Sequence, residues 1–336
     1  MKLTRKRLIL TCGALTLALL MAVLLSLKLG AVPISIGDFF LSLGRAVLRG
    51  DELPSEYRLF VFEIRLPRIL LGVLVGAALA VAGAGFQALL RNPLADPYVL
   101  GVSSGAALGA ILSLAVAGRA SVATPLAAFA GALASIAAVY FLGRREGQLD
   151  SFTLLLAGII CASFLSAVIM FLMTTLAGQH LRGMAFWLMG DLSAPAPVPL
   201  GWLFIVLALA VGAIYTTAAD LNLLLSGEQE ALHLGVEVGR VKLVVYLASS
   251  VLTGLAVSVS GAIGYVGLLV PHAIRMLFGS DYRLLLPATA LGGAIVVVLA
   301  DTLARTVVAP TELPPGAVTA MAGAPFFIYL LRRRLE

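Results

Sequence analysis

The stretch from Asp220 to Lys242 reads DLNLLLSGEQEALHLGVEVGRVK. It gathers Asp220, Glu228, Glu230, Glu237, Arg240 and Lys242 between two long apolar runs. Glu228 and Glu230 fall in the first turn of a short helix, where carboxylates interact favourably with the helix dipole, and Ser226 is placed to cap it. Ala231, Leu232 and Leu234 continue that helix, and Gly235 is placed to stop it. The pattern predicts a short helix between two membrane spans. On its own it reads equally as a solvated loop or as a lever pressed by a partner protein.

Composition fixes what surrounds it. The 336 residues are 61% hydrophobic and only 12% charged, with a mean hydropathy of +1.06. A soluble domain carries roughly 25% charged residues, so apolar runs along the whole length imply an integral membrane protein. At ~20 residues per span the chain has room for about ten spans and short connections. The expected spans are 8–29, 66–87, 98–117, 122–142, 152–176, 198–218, 243–260, 262–278, 284–304 and 316–332. The expectation is therefore an all-α integral membrane protein of about ten transmembrane helices, forming a single transmembrane domain over residues 1–336. Its charged segment 219–242 faces the cytoplasm, and outer segments lie at 30–62 and 177–197. Residues 35–50, SIGDFFLSLGRAVLRG, predict a short amphipathic helix at the membrane interface. Phe186 and Trp187 suit an interfacial aromatic position. Pro195, Pro197 and Pro199 end any helix before the sixth span.

The net charge of +6 is not a nucleic-acid signal. The basic start (Lys2, Arg5, Lys6, Arg7) and basic end (Arg332, Arg333, Arg334) place both termini in the cytoplasm by the inside bias of cations. The first apolar run is too long for the core of a cleaved leader, so it is expected to remain as the first span. Cys12 and Cys161 each lie inside an apolar run and lack metal-ligand spacing. Glycines recur at 101, 105 and 109, at 72 and 76, and at 261, 264 and 267. Small residues let helices approach closely in lipid, so the bundle is expected to be tight. AGAGFQALLRNP from Ala82 faintly echoes SGAIGYVGLLVP from Ser260, in the manner of an inverted repeat.

The chemistry that is missing narrows the function. No GxxxxGK[ST] loop accompanies Lys2, Lys6, Lys28 or Lys242, so the chain is not expected to hydrolyse ATP. His180, His233 and His272 stand far apart and form no compact ligand pattern. Neither a nucleophile elbow nor a redox CxxC is present, which leaves a membrane-embedded enzyme with little support. An ion-gradient-driven secondary transporter, the alternative reading, needs a carboxylate within a span. Asp301 is the best candidate, but Arg305 follows on the same helical face and predicts a neutralising pair. Arg65, Arg68 and Arg305 lie at the outer mouths of their spans, against the inside bias. They read either as snorkelling to phosphate headgroups or as a docking site for carboxylates of an external protein, which suits the arginine fork.

RLPRILLGVLVGAALAVAGAGFQALLRNPLADPYVLGVSSGAALGA from Arg65 resembles the signature of the FecCD-type permeases, the membrane subunits of bacterial ABC importers for iron-siderophores, haem and cobalamin. SGEQEALHLGV (226–236) is similar to that family's coupling segment, carried here by Gly227, Glu228, Ala231, Leu234 and Gly235, with Ser226 counted in the coupling set. Ser226 departs from the residue usual in relatives. GAIGYVGLLVPHAIR (261–275) and ELPPGAVTAMAGAPFFIYLL (312–331) match further family blocks, and the resemblance spans essentially the whole chain. It implies the type II permease fold of ABC importers and a homodimer in the bacterial cytoplasmic membrane. It also implies two cytoplasmic ATPase subunits that use ATP and Mg, an external substrate-binding protein, and a metal-chelate or cobalamin substrate. No cofactor or metal on this chain is implied. It maps docking onto Arg65, Arg68 and Arg305, coupling onto 226–235, and an inner gate onto Gln148–Thr153, with Asp150 and Ser151 as the gate residues.

Overall fold

The computed structural model describes residues 4–30, 32, 34–49, 52–117, 123–145, 148–176, 181–193 and 198–335. In chain order the helices are α1 (Arg5–Lys28), α2 (Ile36–Arg49), α3 (Ser55–Tyr57), α4 (Leu66–Leu89), α5 (Val102–Ala117), α6 (Ala123–Leu142), α7 (Ser151–Leu176) and α8 (Leu181–Leu188). They continue with α9 (Leu200–Thr216), α10 (Ala218–Leu224), α11 (Glu228–His233), α12 (Val238–Ser260), α13 (Val266–Phe278), α14 (Tyr282–Thr306) and α15 (Pro315–Leu335). A π-helical stretch, Arg58–Arg65, runs into α4, and a 3₁₀ turn, Pro97–Leu100, precedes α5. The one sheet among the described residues is a two-residue antiparallel ladder, Arg144–Arg145 against Gln148–Leu149.

Each of the ten expected spans coincides with a helix. Among the described residues six are long and apolar enough to cross a membrane: α1, the run Ser55–Leu89, α6, α7, α12 and α14. α9 and α10 make a seventh together, bent by 50° at Thr217. α5, α13 and α15 are apolar but have shorter apolar stretches. α13 is short because its expected first turn is not helical. The chain runs from Gly261 to Tyr265 with φ of +63° and +68° at those two residues, and only then enters 13 helical residues, about 20 Å of rise. Irregular backbone at membrane depth must find partners inside the protein. Asp191 N donates to Ser260 O at 2.7 Å and Ala262 N to Trp187 O at 3.4 Å, so α8 and the residues after it serve that break.

α4 is the axis. Its apolar window is 83% buried, and α14, α12 and α13 pack around it. The sequence permits this because Gly and Ala dominate it. A side chain at Gly76 would strike the Gly293 carbonyl, and one at Gly83 the Gly267 carbonyl, so backbones meet directly at both crossings. Gly105 and Gly109 likewise face Gly131 and Ala127 of α6. The row at 261, 264 and 267 does not form one face, because the first two lie in the non-helical break; only Gly267 packs on α4. The echoing stretches at 82–93 and 260–271 differ in local structure, one helical and one broken, yet they touch each other. Gln87 Nε2 donates to Leu268 O at 3.1 Å there.

At the periphery, α1 is 11% buried in its window and packs mainly on α14. α2 forms as its amphipathic pattern predicts, and buries Phe39 with Ile34 and Val61 against Tyr57. Helix begins earlier than expected at 55, since a span's first turns outside lipid need no apolar surface all round. Trp187 is half-buried between two apolar clusters rather than displayed at an edge. Pro199 directly precedes α9; Pro195, Pro197 and His180 lie outside the described residues.

Candidate functional site: the two charged ends of the bundle

One end carries the three arginines, brought together from α4, its π-helical entry and α14. They line a cleft of about 180 Å³ with Gly30, Val32, Phe60, Ile64, Ala309, Pro310 and Glu312. Each guanidinium is also engaged within the chain. Arg65, 5% exposed, donates to the carbonyls of Leu27, at 2.5 Å, and Val32, so it satisfies the orphaned end of α1. Arg68 holds Asp301 through Nε and Nη2 at 2.9 and 2.8 Å and reaches Glu312 at 2.8 Å. Arg305 donates to the other Asp301 oxygen at 3.0 Å and to Ser26 Oγ at 2.8 Å. Asp301, 2% exposed, is thus the shared counter-charge of two cations. The expected Asp301–Arg305 pair is present; Arg68 as a second partner and Glu312 as a third charge were not legible, since 233 positions separate Arg68 from Asp301. A carboxylate gripped by two guanidiniums is a fixed structural anion, poorly suited to binding and releasing a driving ion.

The opposite end carries the charged segment. α11 spans Glu228–His233, with Gly227 at its N-cap at φ +134°. Ser226 does not cap the helix: it sits one residue too early, exposed, and Gly227 takes the N-cap without a side-chain bond. Gly235 stops the helix as expected. At φ +84° it lets Gly235 N reach Leu232 O at 3.0 Å and Val236 N reach Ala231 O at 3.0 Å, which closes the last turn. Ala231 is fully buried, whereas Leu234 is 64% exposed beside exposed Leu225 and Leu232. The segment therefore exposes these leucines among the polar Gln229, Glu230 and His233 and keeps its small residue inside.

Glu228 turns inward. Its Oε1 lies 2.8 Å from Lys242 Nζ and 3.3 Å from the Arg91 guanidinium. Lys242 also donates to Leu149 O at 3.2 Å. Arg91 holds φ +47° at the position after α4 where glycine is the usual residue, and Asn92 N closes the turn on Gln87 O at 3.1 Å. A cavity of about 800 Å³ opens here, lined among others by Arg91, Asn92, Asp150, Ser151, Glu228 and Lys242. Asp150 and Ser151 are on its wall. Asp150 Oδ2 accepts from Thr153 N and Oγ1, both at 2.7 Å, and so caps α7. Ser151 Oγ donates to Leu89 O at 3.1 Å, which ties α7 to the end of α4.

A further link joins α10 to α14. Asn222 donates to Asp281 Oδ1 at 2.9 Å and accepts from Tyr282 N at 2.8 Å. Arg283, and then Asn222, hold the Asp281 carboxyl down at about 2. Arg7 adds a bond to Phe278 O at 2.6 Å. From sequence Lys242 and Arg7 were read only as charges of their segments, Asn222 and Arg91 were not singled out, and none of these pairings was predicted.

A bundle of membrane-length helices with a charged cluster at each end is that of a multi-pass membrane protein. The chain belongs to the FecCD transport family, whose model matches residues 18–333. It is 44% identical over 290 residues to the cobalamin import system permease protein BtuC of Halobacterium salinarum, covering 84% of this chain and 76% of that one. It is 44% identical over 283 residues to the hemin transport system permease protein HmuU of Yersinia pestis, covering 82% and 83%. Among solved structures, an ABC transporter of proposed metal-chelate type in an inward-facing conformation superposes with a TM-score of 0.82 at 31% identity, covering 96% of this chain and 98% of that one. The chain is therefore the membrane permease subunit of an ABC importer.

Proposed function

We propose that the chain moves an iron chelate, haem or cobalamin across the bacterial cytoplasmic membrane as a homodimer, with both termini in the cytoplasm. Two cytoplasmic ATPase subunits that bind Mg-ATP drive it, and an external substrate-binding protein feeds it; the chain itself carries no cofactor. The carrying observation is the family match over nearly the whole chain, joined to relatives named for cobalamin and hemin transport. The exposed leucines beside α11 support docking of an ATPase there, and Ser226, Gly227, Glu228, Ala231, Leu234 and Gly235 form the coupling element. Arg65, Arg68 and Arg305 receive carboxylates of the binding protein by exchanging part of their internal bonds for external ones. Asp150 and Ser151 serve the inner gate. Motion of α11 rocks the bundle, so that access alternates between the two ends.

The test is uptake into proteoliposomes containing the chain, its ATPase and its binding protein, offered cobalamin, haem and a ferric siderophore in parallel. ATP-dependent accumulation of one of them is expected. Accumulation by this chain alone, driven by an ion gradient, would overturn the reading.

A further inference from the structure

We infer that Lys242 is a positioning residue that carries displacement of α11 to the connection at 149–151, and so couples the ATPase-facing helix to the wall of the inner cavity. The inference rests on the function proposed above.

The geometry is a tether with few alternatives. The Lys242 side chain is 9% exposed, and its ammonium has three protons to place. One goes to Glu228 at 2.8 Å and one to the Leu149 carbonyl at 3.2 Å. A buried ammonium cannot stand unpaired, so it follows its carboxylate or draws the carboxylate back. Glu228 is the first residue of α11, and any rigid movement of that helix moves its carboxylate. Leu149 precedes Asp150, which caps α7, and Ser151, which is bonded to the end of α4. A pull at Glu228 therefore reaches, through one side chain, the residues that start α7. Arg91 makes the second contact to Glu228, and is the weaker tether: it is 3.3 Å away and half exposed, so water can replace it. Its left-handed backbone nevertheless aims the side chain at Glu228, against the usual preference for glycine.

The role predicts separation of two activities rather than loss of both. In the assembled importer in proteoliposomes, Lys242→Met keeps the length of the stem and removes the charge and the donors. Its ATP hydrolysis is expected to stay within about twofold of wild type while uptake falls about tenfold, within the usual span of coupling effects. Lys242→Arg restores most of the uptake, because it keeps a buried cation with several donors. Should Lys242→Met not assemble, the ratio of uptake to hydrolysis is read on Lys242→Gln, which retains two N–H donors but no charge, and is expected to fall by a smaller factor. An unchanged ratio of uptake to hydrolysis in the variant that assembles, whether both rates are normal or both have fallen together, would overturn the inference. Wild type is measured first; absence of ATP-dependent uptake there would sink the transport reading itself, separately from the role of Lys242.

Discussion

Asp301 shows how a charge in a span is made tolerable. Two guanidiniums share it, and both are bonded elsewhere, to Glu312 and to Ser26. Replacing it by Asn leaves buried Arg305 without a carboxylate and Arg68 with Glu312 alone, which costs ~3–5 kcal/mol. The expected outcome for Asp301→Asn is a clear fall in thermal midpoint in detergent; melting at the wild-type temperature would contradict the pairing. Charge reversal at Arg68 or Arg305 destabilises for the same reason, so docking is better probed by the salt dependence of binding-protein affinity. Asp281 obeys a different rule. Its folded value of about 2 lies below the ordinary ~3.9, so its stabilisation is full above about pH 4 and vanishes as pH falls through about 2. Being partly exposed, it contributes less than ~1 kcal/mol. A stability gap between wild type and Asp281→Asn is expected at pH 6 and should close towards pH 2; a gap that widens there would reverse the sign. Of these residue-level facts the sequence showed only the Asp301–Arg305 spacing, because the i,i+4 relation is local. The partners of Arg68, Glu228 and Asn222 come from distant segments, and no spacing rule reaches them.

At the scale of elements, helices touch where side chains are absent. The α4–α14 crossing at Gly76 and Gly293 has backbone against backbone. Gly76→Leu forces the two helices apart and is expected to cost about 3 kcal/mol, seen as loss of folded protein on size-exclusion chromatography. Normal yield and melting would mean that the crossing is looser than described. Gly235→Val tests the other end. A β-branched residue at φ +84° costs ~1–2 kcal/mol and unravels the last turn of α11. ATP-driven uptake should fall while the melting temperature of the bundle stays put; an unaffected uptake rate would show that this turn does not matter to coupling. Helix existence was readable from apolar runs, as was the stop at Gly235. The cap was misassigned to Ser226 because serine is the better capping residue by type, while the tight turn after Leu225 demanded glycine one position later.

On the scale of the whole molecule, ten apolar runs were enough to give the bundle and its approximate boundaries, and quoted motifs gave its family. Runs of hydropathy could not show that α13 starts late or that α9 and α10 meet at 50°, since an apolar residue in a buried break looks like one in a helix. They also could not say which helix is central; that follows from the small residues of α4 finding small residues opposite. α14 has a consequence of its own. Its start is gripped by Asn222 of α10, and its far part bears Asp301 and Arg305 some twenty residues on, roughly 30 Å away along the axis. It is one continuous helix, with Pro287 near its start, that joins the two charged ends of the bundle. Tilting this helix at one end moves the other, so an event on either side of the membrane is felt across it without any intervening signal.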